Sequence, residues 1–413
     1  MSLKVGIFHP GTQHSLQTAL AFQEAGQLRW HATPIYYTPS RFPYSLEKLM
    51  PPALANRLRQ QIQRRHLPEL DSRLIREGEL HAWAEVAARA VGLTNIARQQ
   101  SRLSLSQFSA RVVRLIEREP VDLIWGFDGS ALKVFRWAKS RGILCILDRT
   151  TIDAKLQNQI ISEEQVRNPE YFTEAWRPKS SKTLAAEEEE IALADKVVVG
   201  SVSCAESLVA NGCPAEKVCV VAYGFNETQF PQEFPVHART SARPLNFIYV
   251  GRISPLKGAV YLLNAFAKLP PQRAKLTLLG SLRIPPALFS KFSERVTYVP
   301  TVPWHGVPEY MSGADCLIFP SLLEGSSLVL KEAYGAGIGC IQTPISGDGI
   351  MPGRNGAFIE ASSSDAIVAA VTSLIERPEA IEAWRVETWE NRSERTWSSY
   401  RRRVRAQFSA TVA

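Results

Sequence analysis

The chain has 413 residues, of which 45% are hydrophobic and 21% charged, with a formal net charge of +8. That length exceeds what one hydrophobic core ordinarily serves, so two domains are expected, and the composition excludes a disordered chain. No apolar run approaches the roughly 18–20 residues that span a bilayer. The six cysteines include no C-x-x-C pair, so they read as reduced thiols and not as a zinc site.

The first segment, LKVGIF, reads as a strand over Leu3–Phe8 and lacks the long apolar core of a leader peptide, which predicts a cytoplasmic protein. The turn HPGTQHS carries Gly11, a helix follows up to Gly26, and HATPIYYT (31–38) has strand character. Residues 51–118 read as mixed polar and apolar helix, with Arg57, Arg59, Arg64 and Arg65 clustered. VDLIWGF (121–127) and ILCILD (143–148) are apolar enough for buried strands, with a helix over 130–142 between them. Residues 151–183 are polar and less regular, an excursion from the core. Helix 184–196, strand VVVG, helix 203–212 and strand VCVVAYG (218–224) complete the first series. A proline-rich linker over 230–244 separates it from a second series of the same kind, which begins at LNFIYVG (245–251). The tail 380–408 reads as helical and basic, with Arg401, Arg402, Arg403 and Arg405. Strands alternating with helices predict an α/β protein with doubly wound parallel sheets.

Chemistry concentrates in LIFPSLLEGSSLVLKEAYGAG (317–337). A strand runs into a turn bearing Glu324 and Gly325, and then into a helix bearing Glu332. The helix N-terminus presents unpaired amides and the positive end of its dipole, so Ser326, Ser327 and Leu328 suit a phosphate. Glu332, about a turn and a half further on, suits a vicinal diol such as a ribose. Gly251-Arg252 follows a strand and Lys257-Gly258 precedes a helix, which gives two cations suited to a diphosphate. An ordinary exposed loop with two cations reads the same way when taken alone. The basic clusters suit either solvated helix faces or an anionic membrane surface, and no nucleic-acid motif accompanies them.

The segment Glu324–Glu332 resembles the E-x7-E element of retaining GT-B glycosyltransferases, in particular glycosyltransferase family four. FIYVGRISPLKGAVYLLNAFAKL (247–269), EEEIALADKVVVGS (188–201) and VCVVAYGFNETQF (218–230) resemble three further elements of that family in the same order. The resemblance implies two Rossmann-like domains facing across a cleft. Residues 1–232 would bind the acceptor, 245–385 would bind a nucleotide-diphosphate sugar, and a helix over 386–413 would cross back to the first domain. It implies retaining transfer of a hexose to a hydroxyl of a glycan, lipid-linked sugar or glycolipid, in the cytoplasm or on the inner face of the membrane.

By the same resemblance Glu332 binds the donor ribose and Glu324 contacts the donor sugar or supports its transition state. Gly11 matches the glycine loop after the first strand. No metal or other cofactor is expected, because cations and a helix N-terminus supply the charge. The chain departs from the family pattern after two strands, where Asp128 and Asp148 stand in place of a histidine. Either carboxylate suits orientation or deprotonation of an acceptor hydroxyl. A helix cap for Asp128 and an ion pair with Arg149 for Asp148 are the structural alternatives. His9, His14 and His305 lie near predicted strand ends or turns and suit structural or acceptor-facing roles. Two functions stand beside transfer: a nucleotide-sugar-binding subunit without turnover, and a GT-B sugar-nucleotide epimerase.

Overall fold

The structure is a computed structural model that describes residues 3–11, 13–38, 44, 65–78, 83–85, 107–235 and 243–409. Its first sheet comprises β1 (Val5–Phe8), β2 (Leu28–Ala32), β3 (Ile75–Arg76), β4 (Leu123–Phe127), β5 (Leu144–Arg149), β6 (Lys196–Val199) and β7 (Val218–Val220). The helices of this part of the chain are α1 (Ser15–Glu24), α2 (107–118), α3 (Leu132–Lys139), α4 (Ala154–Arg167), α5 (Ser181–Leu193) and α6 (Val202–Ala210). The strand order is β3-β2-β1-β4-β5-β6-β7, and β1 pairs in parallel with both β2 and β4.

The second sheet comprises β8 (Leu245–Val250), β9 (Ala274–Leu279), β10 (Thr297–Val299), β11 (Cys316–Phe319), β12 (Gly339–Gln342) and β13 (Gly356–Phe358). Its order is β10-β9-β8-β11-β12-β13, and its pairs are parallel. Helices α7 (Ala259–Lys268), α8 (Val307–Ser312), α9 (Leu328–Ala336), α10 (Ser364–Glu376), α11 (Glu379–Glu390) and α12 (Trp397–Phe408) accompany it. Strand order reverses between β1 and β4 in one sheet and between β8 and β11 in the other. In open α/β sheets, ligands bind at such reversals, beyond the carboxyl ends of the strands.

The chain divides into two compact units. One takes Met1–Arg149, Ala185–Val198 and Arg401–Ala413, and the other takes Thr150–Leu184 and Val199–Tyr400. In each unit the central strands are buried on both faces, which is why VGIF and CLIF are continuous apolar runs without alternation. The first core holds Phe8, Trp30, Trp125 and Phe135, and the second holds Phe247, Leu263, Phe266, Ile318 and Leu330. The end of α12 belongs to the first unit. There Phe408 packs edge-on against Trp125 at 5.0 Å, and Arg401 and Arg405 both pair with Glu24. Arg401 and Arg405 are therefore engaged within the protein.

Several local expectations change. The stretch 151–183 is not irregular: it contains the 14-residue helix α4, started by Asp153, whose carboxylate accepts from the amides of Lys155 and Leu156. β2 is shifted towards the N-terminus, over Leu28–Ala32, and Pro34, which has no amide hydrogen to donate, lies just beyond its end. The two-residue β3 falls inside the stretch read as helix. Arg57, Arg59 and Arg64 lie outside the described residues.

Gly258 ties the second unit's loops together. Its φ is +73°, and a Cβ there would meet the Pro320 carbonyl oxygen at 2.0 Å. Gly258→Ala is expected to lower unfolding free energy by about 2–4 kcal/mol, combining left-handed strain with overlap. Gly26 has a similar φ but open space around it, so Gly26→Ala is expected to cost only about 1 kcal/mol. Denaturant unfolding of the two variants checks the difference.

Candidate active site

In the second unit the loop leaving β8 and the turn leaving β11 are joined by main-chain contacts. The amide of Leu322 donates to the Leu256 carbonyl at 2.9 Å, and the Ser321 hydroxyl reaches the same oxygen at 3.3 Å. Tyr249, buried at the end of β8, donates its hydroxyl to the Arg252 carbonyl at 2.7 Å. This leaves the Arg252 side chain exposed beyond the strand end. Lys257 turns inward. Its ammonium donates to the Leu323 carbonyl at 3.0 Å and pairs with the Glu324 carboxylate. Burial pulls the Lys257 ammonium below its ordinary pKa, and Glu324 opposes that shift.

Gly325 follows at a point of close approach, where a Cβ would meet the Thr150 carbonyl oxygen at 2.0 Å, and its own carbonyl accepts from the Ser201 hydroxyl. Ser326 is buried, and its hydroxyl has no hydrogen-bond partner among the described residues. Ser327 is the residue before α9, but its side chain makes no cap bond. Of the three amides expected to face an anion, that of Ser327 is already engaged, donating to the Ser346 carbonyl at 3.2 Å. Those of the first helical turn are left uncapped by any side chain, the arrangement that attracts anions. Leu328 is 44% exposed at this end. One turn on, Glu332 is half-buried, and burial raises its carboxyl to about 7.

Arg252 and Lys257 share a cavity of about 600 Å³ with Arg283 and Leu323, and the segment Phe172–Arg177 also lines it. Arg283 is a third cation that sequence reasoning did not single out. It follows β9, the strand next to β8, and its amide donates to the Ile253 carbonyl at 2.9 Å. The available signal was a second strand–glycine–arginine stretch, LLGSLR (278–283).

The first unit holds Gly11, Asp128 and Asp148. The amide of Gly11 donates to His9 Nδ1 at 3.3 Å. His9 packs on Phe127 with ring centroids 4.5 Å apart. Asp148 is fully buried. Its Oδ2 lies 2.9 Å from His14 Nε2 and accepts from Trp125 Nε1 at 3.1 Å, while Oδ1 has no hydrogen-bond partner among the described residues. The ion pair anticipated between Asp148 and Arg149 does not form. Arg149 instead pairs with Glu187 at 2.7 Å and lies 3.9 Å from Asp128. Asp128 does not cap α3 either. The amides of Gly129, Ala131 and Leu132 all donate to the Glu190 carboxylate at 2.9 Å. Burial raises the Glu190 carboxyl, and these three bonds counter the shift. His305 lies in the second unit, beside Trp304. No cluster of three or more metal-ligating side chains occurs among the described residues.

Residues 244–377 match the family model described as glycosyl transferases group 1. The chain is 25% identical over 253 residues to a D-inositol 3-phosphate glycosyltransferase of Rhodococcus opacus, covering 54% of this chain and 57% of that one. It is 24% identical over 257 residues to a protein of that description from Streptosporangium roseum, covering 56% and 55%. The chain thus spans little more than half the length of these curated relatives. Among solved structures it resembles sucrose-phosphate synthase from Thermosynechococcus elongatus, with a TM-score of 0.69 at 18% identity, covering 99% of this chain and all of that one. It also resembles Anabaena HepE in complex with UDP, with a TM-score of 0.65 at 15% identity and the same coverage. These likenesses establish the fold expected from the sequence, GT-B with two parallel-sheet α/β domains.

His9 and His31 are buried, and burial lowers both to about 3 from an ordinary 6.5. The unfolded chain therefore takes up these protons as pH falls through 6.5, while the folded chain does not until about 3. Their contribution to stability is complete above 6.5 and declines below it, by up to about 1.4 kcal/mol per pH unit for each group. Relative to wild type, His31→Gln is expected to gain stability as pH falls from 6.5 towards 4. Paired denaturant titrations across that range check the sign.

Proposed function

For a chain whose residues 244–377 match the group 1 glycosyltransferases and whose fold is GT-B, we propose retaining transfer of a hexose from a nucleotide-diphosphate sugar to a hydroxyl acceptor. The observation that carries the donor half is the open first turn of α9, with Glu332 half-buried one turn further along the same helix. The amides and the dipole take the diphosphate, and the Glu332 carboxylate accepts from the two ribose hydroxyls. Arg252 and Arg283 add cationic charge, and Lys257 exchanges Glu324 for a phosphate oxygen. Glu324, released, faces the sugar. As the bond from the anomeric carbon to the diphosphate oxygen breaks, charge accumulates on the diphosphate, where the cations and amides stabilise it. The acceptor oxygen bonds to that carbon on the face the diphosphate leaves, and the acceptor's proton passes to the departing phosphate oxygen. This course uses no strong base, and no metal enters it.

The retaining course and the hexose rest on the resemblance of the Glu324–Glu332 element. The same reading assigns residues 1–232 to the acceptor and 245–385 to the donor. It takes the acceptor from glycans, lipid-linked sugars or glycolipids, with work in the cytoplasm or on the inner membrane face. A binding subunit without turnover is the second reading. It is favoured by the complete burial of Asp148 against His14 and Trp125, which removes that carboxylate from direct contact with an acceptor.

Thermal unfolding with UDP, GDP, ADP and their sugar conjugates tests the donor site. One nucleotide is expected to stabilise the protein, by about 2.7 kcal/mol at a hundredfold excess over its dissociation constant, and Glu332→Ala is expected to abolish the shift. Glu324→Ala is expected to lower donor hydrolysis more than nucleotide binding. No shift with any nucleotide would sink the assignment, whereas a shift without hydrolysis or transfer would select the binding subunit. Binding should also strengthen as pH rises through about 7 and then level off, because the ribose hydroxyls favour the ionised Glu332. Nucleotide titrations at pH 6, 7 and 8 check this.

A further inference from the structure

The same unit has a second cavity, which meets the phosphate-facing loops at Leu322 of the β11 turn. It measures about 700 Å³ and is formed by α4, the exits of β12 and β13 and the residue Leu322. It shares no lining residue with the cavity that holds Arg252 and Lys257. In the sheet it sits on the β12–β13 side of β11, whereas the cations follow β8 and β9.

Its floor is apolar, from Ile160, Leu322, Ile345 and Ile359, and the Phe358 side chain stands 46% exposed beside it. An exposed aromatic next to an apolar floor marks a binding surface more often than an isolated apolar residue does. The charged lining is Glu163, Glu164 and Glu360 against Arg167. This acidic excess opposes nucleotides, phosphates and anionic lipid headgroups. Glu164 is used internally, accepting from the Tyr261 hydroxyl at 2.7 Å and from Asn168 Nδ2 at 2.9 Å. Glu360 makes no hydrogen bond among the described residues. An alkyl chain laid over this floor would strip water from the rim carboxylates without replacing it. Ser362, also on the rim, has a φ of +57° and is the one positive-φ residue other than glycine among the described residues. Such backbone strain in an L-residue concentrates at ligand sites.

We infer that this cavity binds a neutral carbohydrate. A pyranose has C–H faces that pack on Phe358 and the isoleucine floor, and an equatorial rim of hydroxyls that donate to Glu360 and Glu163 and exchange hydrogen bonds with Ser362. The volume falls within the range of small-ligand sites and accommodates more than one ring. The site is independent of the transfer reaction proposed above and of its donor residues.

Saturation-transfer difference NMR on the full-length protein with maltotetraose, cellotetraose and mannotetraose tests the inference. At least one tetrasaccharide is expected to receive saturation on its ring protons. Phe358→Ala and Glu360→Gln are each expected to weaken it by about tenfold or more, while thermal unfolding and nucleotide-induced stabilisation stay as in wild type. The inference is overturned if none of the three sugars binds, if binding survives both substitutions, or if a tetralysine peptide binds at this site and the sugars do not. Any of those results leaves the nucleotide test unaffected, since the two cavities have no residue in common.

Discussion

The main-chain union of the β8 loop with the β11 turn is the constraint on which the candidate donor site depends. Parallel strands next to each other at a point of order reversal send their following helices to opposite faces, which opens a crevice at their carboxyl ends. A crevice alone places no side chain. Here the Leu322 amide bonds to the Leu256 carbonyl and the bare Cα of Gly258 rests against Pro320, so the two loops form one surface. Arg252, Lys257 and Glu324 then belong to a single rigid patch, and α9 begins directly after it. The backbone that carries the cations and the helix N-terminus is thus set before any ligand arrives, and binding an anion needs only side chains to move, Lys257 from Glu324 among them.

Each unit pairs some polar groups and leaves others unmet. In the first, Arg149 pairs with Glu187, Glu190 with the start of α3, and Asp195 with both the Cys145 amide and Lys139, while Asp148 Oδ1 is buried with no partner among the described residues. The acidic run that resembles a family element thus has a structural purpose in this chain, since it fastens α5 and β6 to their neighbours. In the second, the Ser326 hydroxyl is buried without a partner among the described residues, α9 has no side-chain cap, and burial holds Glu332 near neutrality. Unmet polar groups in a buried setting oppose folding, and a ligand that meets them recovers that energy on binding.

Much of this was legible in the sequence. The buried strands at 121–127, 143–148 and 317–319 declared themselves by apolar runs too short for helices, and the alternation with helices identified parallel sheets. The pair Glu324 and Glu332 was legible because their placement follows from local geometry, a turn and then a helix. What escaped depends on residues distant in sequence. Glu190 caps a helix some sixty residues earlier in the chain, a service that Asp128, adjacent to that helix, seemed placed to perform. Arg283 joins Arg252 only because β9 pairs with β8. The α4 helix hid because its composition is polar, although Asp153 offered the cap that starts it.

The resemblance leads one to expect a histidine where Asp148 stands, and the fold brings one close: His14, from the loop before α1, comes to 2.9 Å from that carboxylate. A carboxylate at Nε2 orients the ring. Trp125 donates to the same oxygen, so the carboxylate cannot turn to follow a moving ring. The imidazole is therefore positioned by Asp148 at Nε2 and by the Phe127 ring, edge-on with centroids 5.3 Å apart. The histidine comes from the β1 side of β4 and the aspartate from β5 on its other side, a meeting that a motif read along the chain does not register.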